Sequence, residues 1–156
     1  MHKKQALQAQ GKKLLRTVPE GWRQKDMQIM VSALYHIALK LEHSQYFIVS
    51  DAQGRWQTIT LEHRHAPEQE KTVIYAFGDR TLANIERLQH EDSDRLLCQS
   101  YPVMELLLQF LGLRKVDSLV FFEHITAPNH GKEIKRLDLE NAIQQARISF
   151  AQTQVC

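Results

Sequence analysis

Apolar residues recur along this chain at two distinct periods, and each period predicts an element. Met27, Met30, Val31, Leu34, Ile37, Ala38 and Leu41 fall three or four positions apart, the spacing that lines one face of a helix. Asp26 stands ahead of this stripe as the expected N-cap. Val103, Leu106, Leu107, Phe110 and Leu111 repeat the spacing, with Pro102 suited to the helix start and Gly112 to its stop. So many apolar positions on so short a segment predict burial around most of the helix, at the centre of the core. Leu7, Leu14 and Leu15 draw a thinner apolar face near the N-terminus.

Period-two signals lie between these helices. Tyr46 to Val49 is aromatic and β-branched, and Arg55 to Leu61 alternates, with Trp56, Thr58 and Thr60 on one face and Gln57, Ile59 and Leu61 on the other. Asp51 to Gly54 is a turn between them, so the two segments read as an antiparallel hairpin. Ala66 to Glu70 is polar, holds Pro67 and is expected to be a loop. Thr72 to Phe77 predicts a third strand, and Asp79 caps a short helix carrying Leu82, Ile85 and Leu88. A polar loop over His90 to Asp94 closes that helix. Ser118 to Glu123 is nearly all apolar, as expected for a strand covered on both faces. Thr126 to Gly131 reads as a loop and Lys132 to Arg136 as a short edge strand. Asp138 caps a last helix with Leu139, Ala142, Ile143 and Ala146 inward.

The expected fold class is α+β: a mixed, mostly antiparallel sheet of about four to five strands packed with about five helices. The expected domain division is a basic helical arm over residues 1–25 and a single α+β domain over 26–156. The length of 156 residues suits that division, and 43% apolar with 24% charged residues excludes global disorder. No apolar run is long enough for a membrane-spanning helix, and no apolar stretch follows the N-terminal charges as in a secretory signal. Cys98 and Cys156 match no disulfide framework and no metal or redox spacing, which points to a reducing, cytoplasmic setting.

Charge changes the picture most. Residues 1–25 hold Lys3, Lys4, Lys12, Lys13, Arg16, Arg23 and Lys25 against Glu20 alone, a net of +6; the rest of the chain is net −4. Such asymmetry marks an interaction surface. The seven cations are the candidate binding residues, and an acidic protein is the expected partner. The expected function is a non-catalytic interaction protein: an adaptor, an assembly factor or a small regulator. A nucleic-acid binder using the same arm is the alternative, although Trp22 is the arm's one aromatic residue and offers no stacking platform.

A second alternative is a metal-dependent hydrolase or nuclease. His63 and His65 would share one strand face. Glu133-Ile134-Lys135 is an acid-x-lysine triplet, with Asp117 and Glu123 upstream as further carboxylates for a divalent ion. His90 and His124 complete the candidate ligands. No metal site and no cofactor are expected, because zinc-protease, nucleophile-elbow and Gly-rich phosphate-loop patterns are absent from the sequence.

Overall fold

A computed structural model describes residues 2–63, 66–124 and 130–154. In chain order the elements are α1 (His2–Leu15), α2 (Gln24–Ala38), β1 (Gln45–Asp51), β2 (Ile59–His63), β3 (Ala66–Phe77), α3 (Arg80–Leu88), a 3-10 turn at Ser93–Arg95, β4 (Leu96–Pro102), α4 (Val103–Gly112), β5 (Ser118–Phe122), β6 (Gly131–Lys135) and α5 (Arg136–Gln154). The fold is α+β, with a mixed, mostly antiparallel six-stranded sheet and an N-terminal helix. The elements divide into two compact units. One is helical, built from residues 1–44, 102–111 and 136–156; the other holds the sheet and α3, over residues 45–101 and 112–135.

The helical unit follows the three- and four-residue stripes. Met27, Leu34, Ile37 and Ala38 of α2 are buried as the pattern requires, and Ile29, outside the stripe, is buried as well. On α4 Val103, Met104, Leu106, Leu107 and Phe110 are all fully buried. Asp26 is not the N-cap of α2. Arg23 holds that position, and Asp26 sits in the first turn, where its Oδ2 accepts from the Arg23 backbone N–H at 3.0 Å. The same correction applies to α5, which starts at Arg136 and carries Asp138 in its first turn. Arg136 closes the end of α4: its guanidinium donates to the carbonyls of Leu111 (3.0 Å) and Phe110 (3.2 Å), carbonyls that a helix end leaves unpaired.

The sheet order is β4-β1-β3-β5-β6, with β2 also paired to β3. β3 and β5 run parallel, Val73 opposite Ser118 and Phe77 opposite Phe122, while β1–β3, β2–β3 and β5–β6 are antiparallel. The expected hairpin forms only beside its turn at Asp51 to Gly54: Ser50 and Trp56 bridge antiparallel, with the Asp51 N–H donating to the Arg55 carbonyl and the Gln57 N–H to the Val49 carbonyl, both at 2.9 Å. Beyond it, both β1 and β2 take β3 as their partner. Ala66 to Glu70, expected as a loop, is the first part of β3, with Glu70 opposite Glu62. Pro67 is tolerated there because this end of β3 pairs only with β2 and leaves one edge without a ladder. β4, which the pattern did not reveal, forms one sheet edge; β6 forms the other, as expected from Lys132 to Arg136.

The two sheet faces differ. Tyr46, Ile48, Ile74, Ala76, Leu119 and Phe121 are buried on one, where Tyr46 and Phe121 meet edge-to-face at 4.8 Å. On the other, α3 seats Leu82 and Ala83 against Phe77, with Phe47, Tyr75, Cys98 and Phe122 around them. Phe77 and Phe122 stack at 5.3 Å there, and Tyr75 meets Phe122 edge-on at 5.0 Å. Gly131 lies beside this aromatic group: a Cβ on it would meet Val120 Cγ1 at 2.4 Å and Phe122 Cε1 at 3.1 Å, so only glycine fits.

Candidate functional site

Helix α1 is held down by its narrow inward face. Leu7 and Gly11 are buried, and a Cβ at Gly11 would meet Val31 Cγ1 of α2 at 3.0 Å, so the two backbones run close together. Gln10 adds a polar clamp. Its Nε2 donates to the Ser44 carbonyl at 2.9 Å and its Oε1 accepts from the Met104 N–H at 3.0 Å, one of the unpaired donors at the start of α4.

The seven candidate cations fall into two groups. Lys3 donates to the carbonyls of Leu39 (3.1 Å) and Leu41, just past the end of α2, where a cation is favoured. Arg23 pairs with Asp26 at 3.4 Å, and Lys25 lies over the Phe150 ring at 5.5 Å. Lys4, Lys12, Lys13 and Arg16 are exposed and form no side-chain hydrogen bond or ion pair among the described residues. Three of these four, Lys12, Lys13 and Arg16, cluster within five positions at the C-terminal end of α1, where the helix dipole also favours positive charge. The helical unit as a whole holds ten basic and six acidic residues, the sheet unit ten and twelve.

The residues of the nuclease alternative are placed differently. Asp117 and Glu123 flank β5 at opposite ends, roughly 20 Å apart at the rise of a strand, against the roughly 4 Å of a shared two-ion site. Each carboxylate has a protein donor. Asp117 Oδ2 accepts from the Thr72 N–H at 2.8 Å, and Glu123 accepts from the Tyr46 hydroxyl at 2.7 Å. Glu133 Oε2 accepts from the Ser118 hydroxyl at 2.6 Å and pairs with Lys71. Burial pushes Glu133 up, but the hydrogen bonds from Lys71 and Ser118 and the charges of Lys71 and Lys135 outweigh it and hold its pKa below the ordinary value. His90 sits 3.6 Å from Glu86 on α3 and its following turn, and His124 is exposed. His65 lies outside the described residues, and with it the pairing of His63 and His65.

One concave surface was not signalled by the sequence. Between α3 and β4 runs an open groove of about 600 Å³, with Arg80, Asn84 and Arg87 on the helix side and residues 96–99 of the strand on the other. Arg87 is fixed there, donating from Nε to Asn84 Oδ1 at 2.9 Å and from a terminal nitrogen to the Ser93 carbonyl at 2.8 Å. Arg80 lies over the Phe47 ring at 4.8 Å. Burial pushes the Cys98 thiol up, opposed by the charges of Arg87 and Arg80. The sequence carries no sign of the groove because one wall is β4, whose residues show no alternation.

Among the described residues no helix is long and apolar enough to cross a membrane. The chain matches no protein-family model, and no curated protein matches it in sequence. The cationic end of α1 is therefore the candidate site on geometry and charge alone.

Proposed function

We propose that this chain is a non-catalytic interaction protein, an adaptor, assembly factor or small regulator, that meets an acidic protein partner through α1. The supporting observation is that Lys4, Lys12 and Lys13 on α1, and Arg16 just past it, are exposed and form no side-chain hydrogen bond or ion pair among the described residues, while the other face of the helix is anchored by Leu7, Gly11 and Gln10. Cations on a fixed helix are carried by a backbone that is already ordered, so less backbone entropy is lost on binding. Their positive potential steers an acidic surface toward them.

Deleting residues 1–25 would strip Leu7 and Gln10 from the helical unit, so charge removal is the better test. Replacement of all four by glutamine keeps the helix and avoids placing acid at its C-terminal end. The variant is expected to keep the wild-type circular dichroism and to lose at least about tenfold in affinity for immobilised polyglutamate at low salt. Equal retention of variant and wild type would sink the reading. A short DNA duplex is the parallel probe: tighter binding to it, falling steeply with salt, would move the function to nucleic acid.

A further inference from the structure

The two end strands of the path β4-β1-β3-β5-β6 are protected unequally. β6 carries Lys132, Glu133 and Lys135 along its five residues. Such charges keep another strand from pairing. Among the described residues β4 has only β1 beside it, and from Leu96 to Pro102 it holds no charged residue. Its Leu97 side chain is 48% exposed. The guanidiniums of Arg80 and Arg87 stand along the groove that follows this strand, on the α3 side.

From these observations we infer that β4 is a docking edge, and that its occupant is an extended peptide segment of alternating acidic and aliphatic residues, added as a further strand. Main-chain hydrogen bonds to the open edge supply affinity in this mode, and alternate side chains supply selectivity. The alternation is set by the faces of β4. Cys98 packs with Phe77 and Leu82 on the α3 side, whereas Gln99 accepts from the Ser50 hydroxyl on the opposite face. Leu97 shares the face of Gln99, because strand side chains alternate. One row of the incoming peptide thus meets Arg80 and Arg87 and is acidic; the other row meets Leu97 and is aliphatic. Arg87 is already held by Asn84 and Ser93, so its guanidinium needs little ordering to receive a carboxylate.

The probe is a dye-labelled octapeptide of alternating valine and glutamate, followed by fluorescence anisotropy with the full chain. Binding is expected, with slowed amide exchange at Leu97 to Ser100. The valine–lysine counterpart is expected not to bind. A valine–glutamate peptide N-methylated at alternate residues, which cannot complete a ladder, is expected to bind at least about tenfold more weakly. Arg80→Glu and Leu97→Asp alter exposed side chains, and each is expected to weaken binding by a similar factor. The glutamine variant of the four α1 cations is expected to bind the peptide as the wild type does, which separates this edge from the α1 surface. The inference is overturned if the valine–glutamate peptide does not bind, if its N-methylated form binds equally, or if Arg80→Glu has no effect.

Discussion

Gln10 and Met104 stand 94 positions apart and are joined by one hydrogen bond, the Met104 backbone N–H donating to Gln10 Oε1 at 3.0 Å. The same side chain donates to the Ser44 carbonyl, whose oxygen also accepts from the Val103 N–H at 2.9 Å. A glutamine thus acts as the side-chain cap of a helix distant in sequence. Gln10→Ala is expected to lower stability by about 1–2 kcal/mol, the usual scale for a lost cap or for a donor left unpaired. Urea unfolding measures it, and an unshifted midpoint would refute the role.

Gly131 and Val120 supply a second measurement. The Gly131→Ala substitution drives a Cβ into Val120 Cγ1 and is expected to cost about 1–3 kcal/mol. Combined with Val120→Ala, which removes the obstructing methyl groups, it is expected to cost less than the two single changes together. Strict additivity in that double-mutant cycle would mean the close approach is not what excludes a side chain.

Two carboxyl groups of the sheet unit have opposite effects on the pH dependence of stability. Glu133 is held below its ordinary pKa in the fold, so its contribution is present above the unfolded value and is lost as pH falls through the folded one. Glu86 is pushed up by burial, with His90 opposing. Its contribution is complete below the unfolded value and is lost as pH rises through the folded one. At neutral pH Glu133→Gln is therefore expected to lower the urea midpoint and Glu86→Gln to raise it. Midpoints of wild type and both variants, compared from about pH 3 to 8, isolate each group. Shifts of the same sign would contradict the assignment.

The Cys98 thiol gives a chemical reading of the groove beside β4. Burial raises its pKa, so in a chain with Cys156→Ser the alkylation rate by iodoacetamide is expected to rise only at a pH above that of a free thiol. A profile matching free cysteine would show that the sulfur is not enclosed by α3 and β4.

Much of the architecture was legible where burial is one-sided. The stripes of α2 and α4 show one face or nearly all faces turned from water, and a helical period records that directly. The apolar run of β5 likewise reports its two covered faces. Strand partners were less legible, because a ladder is chosen by residues distant in sequence: β1 and β2 look like neighbours in a hairpin, yet both prefer β3. β4 escaped notice because Leu96 is buried, Leu97 is exposed and Cys98 turns inward, a sequence of three apolar residues with no visible alternation. The charge of α1 was plain in the sequence. That Lys3 is engaged by carbonyls past the end of α2 was not, since those acceptors come from the backbone and leave no mark in residue type. Arg80 and Arg87 gave no sign of sharing a groove for a similar reason: they are two helical turns apart, and the wall opposite them is supplied by β4.

The Gln10 clamp has a consequence for the newborn chain. Helix α1 can pack on α2 through Gly11 and Val31, but Gln10 lacks its partner in α4 until Met104 has been synthesised, 94 positions later. At ordinary elongation rates that interval is about 5–20 s. Throughout it the Gln10 amide has no helix start to cap, so the contact that ties α1 to α4 closes last of those α1 makes.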